Sequence, residues 1–131
     1  MDERTLRSIA LFESLPAQAR ASIAHHADEI DVPEGTELAR QGDFAYEFFV
    51  IEDGSAEVLR DGERIAELGP GDFLGEMGIV DKAVRNATVK TTSPARVIVM
   101  SEQDFRSMAR TNPEVASRIT AAVEQRCQAL A

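Results

Sequence analysis

The sequence predicts a small, mainly β domain with helices at both ends. Between about residues 28 and 100, short apolar runs alternate with turns that contain glycine, proline or aspartate. Residues 3–26 and 102–130 instead carry apolar side chains at helical spacing. About seven or eight short strands separated in this way indicate an antiparallel sandwich or barrel.

Composition limits the classes of function. The 131 residues suit a single domain, residues 1–131, and 44% hydrophobic residues suffice for a packed core. A net charge of -9 argues against nucleic acid or an anionic membrane as a direct partner, because both need a basic surface. Cys127 is the one cysteine, so no internal disulfide can form. Without a signal-peptide pattern or an 18-residue apolar run, we expect a cytoplasmic protein.

The first expected elements are two short helices within residues 3–26. Pro16 suits the start of the second helix. His25 and His26 follow near its end. Adjacent histidines point to different faces of a helix, and no third ligand is near in sequence, so we expect a surface role and no metal.

The expected strands come next. Residues 46–51 are nearly all apolar, which suits a buried strand. Asp53-Gly54 and Asp61-Gly62 are both hairpin signals. The other expected strands are residues 29–33, 36–40, 56–60, 63–68, 88–92 and 95–100.

The chain returns to helix after the strands. Ser101 followed by Asp104 resembles a capping box, and Asn112-Pro113 suits the start of a further helix. An apolar stripe then recurs at steps of three and four residues: Ala116, Ile119, Val123, Cys127 and Leu130. Such a stripe usually docks on the core. A homodimer contact and closure of the helix over a ligand are two further interpretations.

The segment from residue 69 to residue 89 has the features of a site for an anion and a sugar. Gly75 and Gly78 let backbone N–H groups approach an anion closely. Arg85 can close on the anion with a planar, two-pronged donor. Glu76 cannot bind phosphate, but its carboxylate can accept hydrogen bonds from sugar hydroxyls. The segment therefore predicts a ligand with both a phosphate and a ribose.

Leu74-Gly75-Glu76 and Arg85-Asn86-Ala87-Thr88 resemble the phosphate-binding cassette of the cyclic nucleotide-binding domain family. The resemblance covers about residues 10–130. It implies an eight-stranded antiparallel β-roll, jelly-roll-like, with N-terminal helices and C-terminal hinge and lid helices. It also implies that Glu76 takes the ribose 2′-hydroxyl and Arg85 the cyclic phosphate. The implied ligand-binding residues are Leu74, Gly75, Glu76, Met77, Gly78, Arg85, Asn86 and Ala87.

The resemblance further implies a moving C-terminal helix. By position, Ile79 in the cassette and Phe105 or Met108 in the helix after the last strand form the hinge. Arg126 and Leu130 occupy lid positions. The alternative for Arg126 is a solvated arginine that interacts favourably with the helix dipole.

The identity of the base depends on the residue after the cassette arginine. Asn86 offers both a donor and an acceptor, so it excludes neither cAMP nor cGMP. The overall bias of the family favours cAMP.

Three functions compete. The leading one is a non-catalytic receptor that binds cAMP or cGMP, needs no cofactor, and signals to an effector protein. The second is a degenerate β-roll that serves as a protein-interaction module, in which Arg85 only pairs with Glu76 or Asp81. The third is a metal-dependent enzyme on a similar barrel, which would need histidines clustered on strands rather than His25 and His26 in a helix.

The resemblance leaves no room for the output unit that many family members carry. Such units are a DNA-binding helix-turn-helix, a kinase, a channel or an acyltransferase. The chain is thus either a stand-alone receptor or a fragment of a longer protein.

Overall fold

The computed structural model describes residues 1–9, 11–42, 47–74, 87–118 and 121. Its strands are β1 (Asp28–Val32), β2 (Glu37–Ala39), β3 (Glu47–Asp53), β4 (Ala56–Arg60), β5 (Glu63–Leu68), β6 (Phe73–Leu74), β7 (Thr88–Thr91) and β8 (Ala95–Ser101). The first sheet has the order β1-β8-β3-β6 and the second has the order β2-β7-β4-β5. Every strand pairing among the described residues is antiparallel. The predicted eight-stranded antiparallel β-roll is therefore confirmed.

Helices lie before and after the roll. They are α1 (Glu3–Arg7), α2 (Ala17–His25) and α3 (Glu102–Thr111), and residues 113–118 are also helical. The predicted cap of α3 is confirmed, because Ser101 Oγ accepts the backbone N–H of Asp104 at 3.2 Å. In the part of the chain that the structure describes, no helix is long and apolar enough to cross a membrane.

Strand β3 is buried on both faces, as its apolar run predicts. Phe48 and Val50 point to the side of the first sheet that the helices cover, whereas Phe49 and Ile51 point toward the second sheet. All four side chains are at most 5% exposed. One strand thus contributes to two separate apolar clusters.

The two clusters are named by their position. The helix-side cluster contains Leu6, Ile9, Leu11, Phe12, Leu15, Ile23, Ala24, Ala27, Phe48, Val50, Phe73, Ile98, Met100, Phe105, Met108 and Val115. The inter-sheet cluster contains Leu38, Ala39, Phe49, Ile51, Ala56, Leu68, Leu74, Val89, Ala95 and Val97.

The Asp61-Gly62 turn is the predicted hairpin. Arg60 of β4 pairs with Glu63 of β5, so only two residues form the loop. Asp61 has φ +53° and Gly62 has φ +81°, the left-handed pair that a type I′ turn requires.

The hairpin prediction for Asp53-Gly54 is wrong. Strand β3 lies in the first sheet and β4 in the second, so this turn carries the chain from one sheet to the other. Gly54 has φ +95°, and a Cβ there would lie 2.6 Å from the carbonyl oxygen of Pro94. Only glycine fits this close approach of two backbone segments. An Asp-Gly dipeptide therefore occurs here as it does in a hairpin, although the chain crosses between the sheets.

A buried arginine joins the N-terminal helices. Arg20 of α2 is 8% exposed, and its Nε donates to Glu3 Oε1 of α1 at 2.6 Å. Its Nη1 donates to the carbonyl oxygens of Glu13, at 3.3 Å, and Leu15. The hydrogen bond from Arg20 is the main cause of the lowered pKa of Glu3.

The C-terminal helical residues also rest on the N-terminal segment. Val115 is fully buried in the helix-side cluster. Arg118 Nη1 donates to the carbonyl oxygen of Leu11 at 3.1 Å, and Nη2 donates to Ser14 Oγ. The predicted apolar stripe begins at Ala116, the residue after Val115, and its remaining members lie outside the described residues.

Candidate functional site

The start of the cassette is held by backbone hydrogen bonds to β3. The Gly71 N–H donates to the carbonyl of Ile51, and the Ile51 N–H donates to the carbonyl of Asp72, both at 2.8 Å. Leu74 then pairs with Phe49, and its side chain is 3% exposed in the inter-sheet cluster. The residue before the Gly-Glu pair is therefore fixed on the first sheet.

The end of the cassette is held on the second sheet. Ala87 is 8% exposed and directly precedes β7. Thr88 Oγ1 accepts the backbone N–H of Gln41 at 3.0 Å. Val89, the next residue, belongs to the same inter-sheet cluster as Leu74. The two ends of the cassette thus rest on one common apolar cluster, although they belong to different sheets.

Most of the predicted site lies between these ends and outside the described residues. This applies to the predicted ligand residues Gly75, Glu76, Met77, Gly78, Arg85 and Asn86, to Ile79 of the predicted hinge, and to the predicted lid residues Arg126 and Leu130. Leu74 and Ala87 are the members of the ligand set that the structure describes.

The helical residues of the predicted hinge, Phe105 and Met108, are buried. Phe105 and Met108 are 3% and 6% exposed in the helix-side cluster. The ring centroid of Phe105 lies 4.5 Å from that of Phe48, which in turn lies 5.8 Å from the centroid of Phe73. Since Phe73 directly precedes Leu74, α3 is connected to the start of the cassette through Phe48.

The carboxyl groups of Glu52, on β3, and Glu29, on β1, form a pair. Burial raises the pKa of Glu52 to about 7, and a hydrogen bond with Glu29 and the charge of Glu29 act in the same direction, while Arg96 opposes them. Glu52 Oε2 is buried, and no donor among the described residues bonds to it. The two groups can bond only when they share a proton. Sequence reasoning missed this pair because the residues belong to strands distant in sequence.

The histidines lie at the end of α2. His26 Nδ1 is 3.8 Å from Asp104 Oδ1, and both side chains are exposed. Among the residues that the structure describes, no group of three histidine, cysteine, aspartate or glutamate side chains could hold a metal ion.

Comparison with known proteins identifies the family. The model of the cyclic nucleotide-binding domain matches residues 29–112. The cAMP-dependent protein kinase regulatory subunit of Schizosaccharomyces pombe is 31% identical over 107 residues, which are 81% of this chain and 26% of that protein. The chain thus spans about a quarter of the length of such relatives.

Solved structures show the same fold. A cAMP-bound PfPKA-R structure superposes with a TM-score of 0.88 at 21% identity, covering 98% of this chain and 44% of that one. The regulatory subunit of a cAMP-independent protein kinase A from Trypanosoma brucei gives 0.83 at 17% identity, with 92% and 44% covered. By its family match and its β-roll, this chain belongs to the cyclic nucleotide-binding domain family.

Proposed function

We propose that this chain binds a cyclic nucleotide, cAMP in preference to cGMP, and acts as a non-catalytic signal receptor. One observation carries the proposal: Glu76 and Arg85 occur together, at the family's spacing, in a segment whose two ends are anchored on the roll. The S. pombe relative is, by its name, the regulatory subunit of a cAMP-dependent protein kinase, and the PfPKA-R structure is cAMP-bound, which supports this ligand class.

The proposed roles come from the resemblance and agree with the chemistry of the side chains. Arg85 neutralises the cyclic phosphate with a two-pronged donor, and backbone N–H groups around Gly75 and Gly78 complete the anion site. Glu76 accepts hydrogen bonds from the ribose. By resemblance, Asn86 would face the base, and its amide would allow either purine.

The proposed signal is a population shift of the C-terminal helix. The ligand favours the closed position of this helix because it contacts lid residues Arg126 and Leu130 only when they are closed. Phe105 supports this proposal because its ring packs on Phe48 and so connects α3 to the strand next to the cassette, and Met108 belongs to the same cluster. The closed helix would then be read by an effector protein or a second copy of the chain.

A second candidate is a protein-interaction module without nucleotide. The T. brucei neighbour supports this candidate, because that regulatory subunit belongs to a cAMP-independent kinase and has the same fold. The fold by itself therefore does not select the ligand.

Titration calorimetry of nucleotide-free protein with cAMP and cGMP in parallel tests the proposal. Absorbance at 260 nm and mass spectrometry first establish that no nucleotide was carried through purification, and 5′-AMP serves as the non-cyclic control. We expect saturable binding that is tighter for cAMP than for cGMP and weakest for 5′-AMP. Absence of heat with all three, from a folded protein, would contradict the proposal and favour the interaction module.

A further inference from the structure

Gln41 connects three separate parts of the second sheet. It lies two residues beyond the end of β2, and its backbone N–H donates to Thr88 Oγ1, in the first residue of β7, at 3.0 Å. Its side-chain Nε2 donates to Asp61 Oδ1 at 2.9 Å, and its Oε1 accepts the Asp61 backbone N–H at 2.9 Å. One glutamine therefore joins the β4–β5 hairpin to the first residue of β7.

The hairpin gives this glutamine a rigid point of attachment. Asp61 is the one non-glycine residue with positive φ among the described residues. The side-chain amide of Gln41 forms hydrogen bonds with both the backbone N–H and the carboxylate of Asp61. These two bonds fix the orientation of the amide plane. The paired strands β4 and β5 hold the turn itself in place.

The attachment acts on the last residue of the cassette motif. Thr88 follows Ala87, and the predicted phosphate ligand Arg85 is three residues before Thr88. A hydrogen bond that fixes Thr88 limits where the chain leaves the cassette, and displacements of about 1 Å in a binding group can cost much of its interaction.

We propose that Gln41 is a positioning residue for the ligand site, acting through Thr88, in addition to shaping the hairpin. This inference rests on the proposed function. The competing explanation is that Gln41 only stabilises the turn, in which case its loss would change unfolding but not ligand affinity.

The test uses two substitutions of one hydroxyl. Thr88→Val keeps the shape and removes the acceptor, whereas Thr88→Ser retains it. With a net value of about 0.5–1.5 kcal/mol for one hydrogen bond, we expect Thr88→Val to weaken cAMP binding by about two- to tenfold and Thr88→Ser to stay within about twofold. Affinities are measured by calorimetry at a temperature where each variant is fully folded by circular dichroism.

Gln41→Ala is the second variant, and it keeps the backbone N–H while removing both bonds to Asp61. We expect a similar loss of affinity, and no further loss in the double variant with Thr88→Val, because both act through one connection. Arg64→Gln is the matched control, since it breaks a 2.7 Å contact with Glu67 on β5 of the same hairpin without touching Gln41. Wild-type affinity in Thr88→Val and Gln41→Ala would overturn the inference.

A measurement that needs no ligand can test the positioning role even if the proposed function fails. If the wild-type chain binds no cyclic nucleotide, the proposed function fails. The rate of tryptic cleavage after Arg85, followed by mass spectrometry, then decides on the positioning. Faster cleavage in Thr88→Val than in Thr88→Ser supports it, and equal rates overturn it.

Discussion

The two apolar clusters of this domain share β3 and differ in what they hold. The helix-side cluster includes Phe12, Phe48, Phe73 and Phe105, and it joins the N-terminal helices, the first sheet and α3. Phe49 is the one aromatic member of the inter-sheet cluster, whose other side chains are aliphatic. It contains residues from both ends of the cassette.

This difference separates two tasks. The inter-sheet cluster forms the frame that holds both ends of the proposed ligand segment, whereas the helix-side cluster is the surface on which the helices rest. Under the proposed closure of the C-terminal helix, a change in helix position would be transmitted through Phe48 without disturbing the frame. The following predictions test this separation, from the largest expected effect to the smallest.

Phe105→Ala should destabilise the domain most, by about 3–5 kcal/mol, because it removes a ring that packs on Phe48 and leaves a cavity. Urea unfolding followed by circular dichroism measures this. Gln103→Ala, at an exposed position of the same helix, is the control and should stay within about 0.5 kcal/mol of wild type. A loss of less than about 1 kcal/mol for Phe105→Ala would mean that α3 does not depend on this cluster.

Ile51→Val tests the frame. Removal of one methylene from a residue that is 1% exposed should cost about 0.5–1.5 kcal/mol of unfolding free energy. Ligand affinity should remain unchanged, because the backbone bonds from Ile51 to Gly71 and Asp72 do not depend on its side chain. Unfolding and calorimetry on the same preparation measure both quantities. A large loss of affinity at wild-type stability would show that the frame and the site are not separable in this way.

Glu52→Gln should change the free energy of unfolding only at high pH. The folded-state pKa of about 7 exceeds the ordinary value of 4.5, so the folded state retains the proton longer than the unfolded chain does. Stability therefore falls as pH rises from about 4.5 to about 7, and the full penalty is present above that range. Since the group is partly solvated, we expect a penalty of about 1 kcal/mol rather than the full value of the shift.

Urea unfolding at pH 5 and pH 8 checks this prediction. Glu52→Gln should be more stable than wild type at pH 8, and the gap should shrink at pH 5. Glu34→Gln, at an exposed turn position, is the matched control and should show no such dependence. An equal gap at both pH values would exclude the shared proton with Glu29.

Local signals predicted much of the fold. The apolar run around Phe48 and Ile51 predicted a buried strand, and Ser101 predicted the start of α3, because burial and capping are decided by neighbouring residues. The same logic failed at Asp53-Gly54, where Gly54 has positive φ as expected but Asp53 does not, and the chain crosses to the other sheet. Strand β6 was not predicted as a strand, since two residues are too few for a pattern.

The candidate site depended on a different kind of information. The roles of Glu76 and Arg85 came from resemblance, since spacing alone predicts only a ligand with a phosphate and a ribose. The contacts of Gln41 with Asp61 and Thr88 have no sequence signal, because they span 20 and 47 positions. Hydrogen bonds of that range become visible only when the topology of the second sheet is known.

The most direct test of the central claim is the cAMP affinity of Arg85→Ala beside that of Arg64→Ala. Both variants lose one arginine, but Arg64 forms an exposed ion pair with Glu67 on β5, outside the cassette. We expect Arg64→Ala to bind like wild type and Arg85→Ala to lose about 2–5 kcal/mol, or about 30- to 4000-fold in affinity, because the phosphate is left unpaired. Equal affinity of Arg85→Ala and wild type would contradict the assignment of a phosphate-binding cassette to residues 69–89.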